Sequence, residues 1–346
     1  MKIAIISFYN GHLERGAENW VNELSKRLSK FHKIVIFQNE EFIIDWTKSA
    51  EGSIRRLFFL DYRSLLIARF TLGILPILWR ENYEVIVPVN GGWQSILIRI
   101  ITWLKRSKMM IVGHSGRGWD DRFNLWTFPD LFVCLTKFSK VWAKRINPFI
   151  KIEYIPNGVN LKQFNSKGKK ISIKLKRPIV LCVGAFSNSK RIDLTIKAIV
   201  LVKGASLLLV GKGDLEGELK DLGQKLLGDR FCLTSYPYFK MSDVYRAADV
   251  FTLCSWENEA FPLVYLEALA SNLPVVATDD DVRREIVGIG GILVNPENTK
   301  EYAKAIRSAL YYKWDDKPRE QAEKFTWEKI SKQYDELLLN MLRLNK

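Results

Sequence analysis

Val250-Phe-Thr-Leu-Cys254, followed by Glu259-Ala-Phe-Pro-Leu-Val-Tyr-Leu-Glu267, is the stretch on which the reading of this chain turns. The first run is short and continuously apolar, as a strand buried on both faces would be. The second opens a helix. Pro262 suits the first helical position, because the N–H it lacks would have had no partner there. Leu263, Val264, Leu266, Ala268 and Leu269 then bury that helix against a sheet. The amides of Phe261, Leu263 and Val264 in the first turn point outward with partial positive charge, which suits a phosphate or pyrophosphate. Glu259 precedes that turn, and Glu267 lies roughly 7 Å further along the axis by helix rise. A diphosphate on the helix start would have one carboxylate toward each of its substituents, and a carboxylate accepts hydrogen bonds from adjacent hydroxyls. An ordinary amphipathic helix with two surface glutamates fits the same spacing, since short patterns recur by accident.

Outward from this unit, strand-like and helix-like runs alternate. Strands are expected at Lys2–Ser7, Lys33–Phe37, Glu84–Val89, Met109–His114, Leu131–Thr136 and Ile152–Ile155. A second series is expected at Pro178–Val183, Ser206–Val210, Phe231–Ser235, Val250–Cys254, Pro274–Thr278 and Gly291–Val294. Helical patterns lie between them, at Ala17–Phe31, Asp193–Leu201, Asp214–Leu227 and Thr299–Tyr311. Such alternation means parallel, doubly wound sheets, and two series mean two Rossmann-like α/β domains. The polar run Asn165-Ser-Lys-Gly-Lys-Lys170 marks a linker, giving domains at 1–170 and 171–325 with an amphipathic tail at 326–346. Ligands of open parallel sheets bind beyond the carboxyl ends of the strands, which singles out the loops there.

Composition suits a two-domain enzyme: 346 residues, 47% of them apolar. Cys134, Cys182, Cys232 and Cys254 are far apart inside apolar runs, which reads as reduced core thiols of a cytoplasmic protein. Three histidines leave little for a histidine-based metal site. The opening Met1-Lys-Ile-Ala-Ile-Ile-Ser reads as a strand and not as a signal peptide. The net charge of +15 is lopsided: residues 1–172 carry 27 Lys and Arg against 14 Asp and Glu, a net +13. A basic first half calls for an anionic partner, such as a membrane face with acidic lipids, a phosphorylated glycolipid or nucleic acid.

The segment from Glu259 to Glu267 resembles the E-x7-E motif of retaining glycosyltransferases of family 4, which have the two-domain GT-B fold with a cleft between the domains. Ala248–Ser255, the run Glu267-Ala-Leu-Ala-Ser-Asn-Leu-Pro274, Arg284-Glu285-Ile286-Val287, the turn Ile155-Pro-Asn-Gly-Val-Asn160, and Val183-Gly184 with Lys190-Arg191-Ile-Asp193 extend the likeness over most of residues 150–295. The resemblance implies catalytic roles for Lys190, Glu259 and His114. It implies donor contacts at Gly16, Arg191, Gly211, Met241, Phe261, Pro262, Leu263, Val264 and Glu267. Asp120 and Arg117, in the loop after His114, would face the acceptor. Glu259 would hold sugar hydroxyls and Glu267 the ribose. Two departures stand out: Ala185 replaces an arginine usual after Gly184, leaving Arg191 to supply a second charge, and the first glycine loop, Tyr9–Glu18, has Gly16 followed by Ala17. Lone turns such as Val210-Gly-Lys-Gly213 fit a tight corner equally well. Tyr236 and Tyr238, before Met241, suit either a base or the core, and Ser242 reads as the cap of the next helix.

The expected function is thus transfer of a sugar, with retention, from a nucleoside-diphosphate sugar to a hydroxyl of a glycan or lipid-linked acceptor in surface polysaccharide or glycolipid synthesis. No cofactor or metal is expected, because Asp279-Asp-Asp281 follows a different strand, and no nucleic-acid partner. Alternatives are a sugar-nucleotide epimerase of the same fold, which needs no acceptor, a glycan phosphorylase, which is a much longer chain, or a non-catalytic basic lipid- or nucleic-acid-binding relative. Two apolar stretches, Arg63–Trp79 and Ser95–Lys108, fall short of the roughly 20 uninterrupted apolar residues of a spanning helix. They read as core helices for most of their length, with Trp103, Lys105, Arg106 and Lys108 as an interfacial edge and peripheral contact with an anionic membrane.

Overall fold

The computed structural model describes residues 1–13, 16–40, 54–256 and 258–343. Glu14 and Arg15 of the first glycine loop and Leu344 of the tail lie outside the described residues. The chain divides into two units, Met1–Asn157 with Trp327–Lys346, and Gly158–Thr326. The division falls at 157, ahead of the polar run at 165–170 that the sequence suggested as the linker. The reason lies in the backbone: Val159 N–H bonds to Phe325 O, Ile171 N–H to Asp243 O, and Arg246 donates to the carbonyls of Asn165 and Lys169, so residues 158–171 are tied to the second unit.

Each unit holds one six-stranded, all-parallel sheet. In the first, β1 (Lys2–Ile6), β2 (Lys33–Phe37), β3 (Val85–Pro88), β4 (Lys108–Val112), β5 (Leu131–Cys134) and β6 (Ile152–Tyr154) run in the order β2-β1-β3-β4-β5-β6. In the second, β7 (Ile179–Val183), β8 (Ser206–Val210), β9 (Phe231–Thr234), β10 (Val250–Leu253), β11 (Val275–Thr278) and β12 (Gly291–Val294) run β12-β11-β10-β7-β8-β9. All twelve expected strands are present, within a residue or two of their expected ends. The central β7, with Leu181 between Leu208 of β8 and Phe251 of β10, is apolar throughout because helices cover both faces. This is the GT-B architecture of two doubly wound α/β domains.

Strand order fixes where a ligand fits. In the second unit the chain passes from β7 to β8 and β9 on one side, then returns to β10 on the other. The loops after β7 and β10 therefore diverge and leave a crevice at their carboxyl ends. The equivalent point in the first unit lies between β1 and β3.

Two local expectations need correction. Pro262 sits at the cap position and the helix runs from Leu263 to Ala270, because an extended Pro262 places the first helical residue one later. Ser242 does not cap its helix, which spans Met241–Arg246 without a side-chain cap; the Ser242 hydroxyl instead accepts from Arg246 Nη2 at 3.3 Å.

Candidate functional site

The crevice between β7 and β10 is where the chemistry concentrates. After β7 the chain makes a short 3-10 turn, Asn188–Lys190, and reverses at Arg191, whose φ of 47° is a left-handed conformation that costs free energy in a non-glycine residue. Contacts hold it there: Arg191 Nε donates to Cys254 O at 2.9 Å and Nη2 to Ser255 O at 3.2 Å. Trp256 N–H closes the same seam on Ser189 O at 2.9 Å. The loop after β7 is thereby stitched to the loop after β10, and Lys190 meets Glu259 Oε1 as an ion pair.

Arg191 was expected to lend its charge to a diphosphate. The structure gives its guanidinium to backbone carbonyls and, at 3.3 Å, to Glu297, so it acts as the clamp between the two loops.

The second cation at the site is one that the motif reading passed over. Arg283 is fully buried. Its Nη2 donates to Glu259 Oε2 at 2.9 Å, Ser255 Oγ at 2.5 Å and Trp256 O at 2.9 Å, while Nη1 bonds to Asp280 Oδ2 at 2.7 Å. Asp280 caps the helix Asp281–Val287 by accepting from Arg283 N–H at 2.9 Å, so one carboxylate fixes both the backbone and the side chain of Arg283. Ser255 Oγ adds a 2.6 Å bond to Glu259 Oε2. The row Lys190–Glu259–Arg283–Asp280 thus alternates in charge. Burial, and after it the Arg283 charge, pulls the Lys190 ammonium down to about 8.

Glu267 lies on the helix Leu263–Ala270, which follows Glu259, and is buried. Tyr238 donates to its Oε1 at 3.0 Å and Tyr245 to its Oε2 at 2.8 Å, while burial pushes its pKa up. Tyr238 therefore supports a carboxylate; Tyr245, also missed in the sequence, is core and support together. Met241 is buried at the start of its helix. Gly211 earns its place by contact: a Cβ there would lie 1.9 Å from Gly184 O, so glycine lets the loop after β8 back the loop after β7. Phe186 N–H to Lys212 O, at 2.9 Å, fastens the two.

In the first unit, Gly16 begins the helix Gly16–Leu28 after β1. His114 follows β4 with its ring edge-on to Trp20 at 5.1 Å. Burial pulls its imidazole down to about 4, and Nε2 is a buried polar atom without a hydrogen-bond partner, as are Ser7 Oγ and Asn10 Oδ1 after β1. Asp120 pairs with Arg56 at 2.7 Å, and Arg117 lies over the Phe138 ring at 4.4 Å. Asp121 is buried, receives Ser115 N–H at 3.2 Å, and is pushed up to about 8 by burial. The four cysteines are free thiols; Cys134, Cys182 and Cys254 are buried. Among the described residues no His, Cys, Asp and Glu cluster suited to a metal occurs.

Residues 177–311 match the family described as glycosyl transferases group 1. The match lies wholly within the second unit. The chain is similar to the exopolysaccharide phosphotransferase SCO2592 of Streptomyces coelicolor, 28% identical over 228 residues, 62% of this chain and 24% of that protein. It spans less than two fifths of the length of the first curated relatives it matches. Its fold is that of the sucrose-phosphate synthase of Thermosynechococcus elongatus, with a TM-score of 0.77, 21% identity and 99% of both chains covered. It is also that of HepE of Anabaena in complex with UDP and glucose, with a TM-score of 0.74, 18% identity, and 98% and 100% covered.

Proposed function

We propose that the protein is a retaining glycosyltransferase of the family 4 type, moving a sugar from a nucleoside-diphosphate sugar to a hydroxyl of a glycan or lipid-linked acceptor, a reading that the match of residues 177–311 to glycosyl transferases group 1 supports. The observation that carries the reading is the Lys190–Glu259–Arg283 row at the crevice between β7 and β10. A diphosphate entering there competes with Glu259 for the Lys190 ammonium. Once Lys190 turns to the phosphates, Glu259 Oε1 is free for sugar hydroxyls, while Arg283 and Ser255 hold Oε2 in place. The cation then neutralises charge that develops on the leaving diphosphate.

Glu267, fixed by Tyr238 and Tyr245, keeps lone pairs for the ribose. The acceptor hydroxyl attacks the face that the leaving group vacates and passes its proton to the departing phosphate. No metal is required in this scheme. HepE, whose complex contains UDP and glucose, supports a uridine donor as the first to try.

The test is a thermal-shift panel of UDP, GDP, ADP and their sugars. A ligand at about a hundred times its dissociation constant stabilises by about 2.7 kcal/mol. At least one diphosphate should raise the transition temperature in the parent and do so less in Lys190→Ala. A panel without any shift would overturn the reading.

A further inference from the structure

Two neighbouring helices of the first unit, Tyr62–Arg80 and Trp93–Lys105, were expected in the core for most of their length. The structure shows each with two apolar faces. Ser64, Ile67, Thr71, Ile74 and Leu78 are buried on one side of the first helix, and Gln94, Ser95, Ile98, Ile101 and Thr102 on one side of the second. The opposite faces carry large apolar side chains in solvent: Leu72 is 54% exposed, Trp79 53%, Trp103 59% and Leu104 66%, with Ile77 and Ile100 close behind. Lys105 joins the two helix ends by donating to Trp79 O and lying over its ring. Exposed apolar area of this extent on packed helices marks a contact surface.

Charge says what the surface contacts. Neither helix contains an acidic residue, while Arg69, Arg80 and the adjoining Arg106 are exposed. The acids just beyond the ends are engaged: Asp61 with Ser64 and Arg56, and Glu81 and Glu84 with Lys2. The partner is therefore apolar and anionic at once. A second copy of the same face would set arginine against arginine. We infer that the outer face of Tyr62–Arg80 and Trp93–Lys105 docks on a bilayer containing anionic lipid, with its tryptophans at the headgroup level and its arginines on lipid phosphates. The helices lie in the interface. Tyr62–Arg80 is, among the described residues, the one helix long and apolar enough to cross a membrane by length and composition, but Ile67, Ile74 and Leu78 hold it to the unit's own core.

The geometry also revises the basic edge read from the sequence. Lys105 is tied to Trp79, and Lys108 opens β4 with its ammonium on Asp130 at 3.3 Å, so Arg106 alone of those three is free to meet lipid.

The inference is independent of the donor site and is read without any sugar nucleotide. The full chain is sedimented with vesicles of phosphatidylcholine alone and with added phosphatidylglycerol, at low and high salt. Binding should require phosphatidylglycerol and fade with salt. Trp103→Gln with Leu104→Gln, both exposed, should abolish it. Arg69→Gln, Arg80→Gln and Arg106→Asn together should weaken it roughly a hundredfold, about fivefold for each charge; asparagine tolerates the left-handed backbone at Arg106. Equal binding to neutral vesicles, binding that high salt cannot release, no binding at all, or a dimer in solution that Trp103→Gln with Leu104→Gln dissociates would each overturn the inference.

Discussion

Arg283→Met is the perturbation that interrogates the site most directly. The side chain is fully buried and its two terminal nitrogens reach four acceptors, on Asp280, Ser255, Trp256 and Glu259. Methionine fills similar volume but leaves Asp280, whose side chain is 10% exposed, facing no cation, and leaves Glu259 with Lys190 and the Ser255 hydroxyl. Breaking a buried pair from one side costs about 3–5 kcal/mol, since the surviving carboxylates stay desolvated. Urea denaturation should show a loss of that size for the second unit. Arg283→Lys keeps the charge but not the planar fork, and should lose roughly half as much. A second readout tests the coupling itself. Arg283 helps to hold the Lys190 ammonium down at about 8, so its removal should move the alkaline limb of nucleoside-diphosphate binding to higher pH. A stability loss below about 1 kcal/mol, together with an unmoved limb, would refute the charge row as a working unit.

Other expectations follow from neighbouring geometry. Lys190→Ala should cut turnover by roughly two to three orders of magnitude, the scale of a lost transition-state charge partner, while activity within a few-fold of the parent would remove Lys190 from the mechanism. In the parent, the protonated lysine is the form that attracts a diphosphate, so affinity should fall as pH rises through about 8; a flat calorimetric profile there would contradict the assignment. Gly211→Ala places a Cβ 1.9 Å from Gly184 O and must displace the loop that carries Lys190. It should lower stability by about 1–3 kcal/mol, as overpacking does, and weaken diphosphate binding with it, and an unchanged melting temperature would count against the backing role.

The alternation of apolar strands and amphipathic helices determined the fold, because parallel sheets need continuous apolar runs and those are visible residue by residue. The spacing of Glu259 and Glu267 likewise fixed two carboxylates on one loop-and-helix unit, a local matter of 3.6-residue geometry. Partners were another matter. Arg283 sits in the run Asp279-Asp-Asp-Val-Arg-Arg284, which reads as solvated charge, although its position four residues before the buried Val287 was a sign that it turns inward. What it turns toward, Glu259, lies 24 residues back in the chain, and only the packing of the β10 and β11 loops brings them together. Arg191 shows the converse case. It stands beside Lys190 in sequence, but a left-handed reversal sends its guanidinium to the carbonyls after β10. The helices Tyr62–Arg80 and Trp93–Lys105 show the same limit. Composition made them apolar, but an apolar helix is equally at home inside a sheet's cover or on its outside. Only the sheet they pack against decided which apolar face is buried and which is left to solvent.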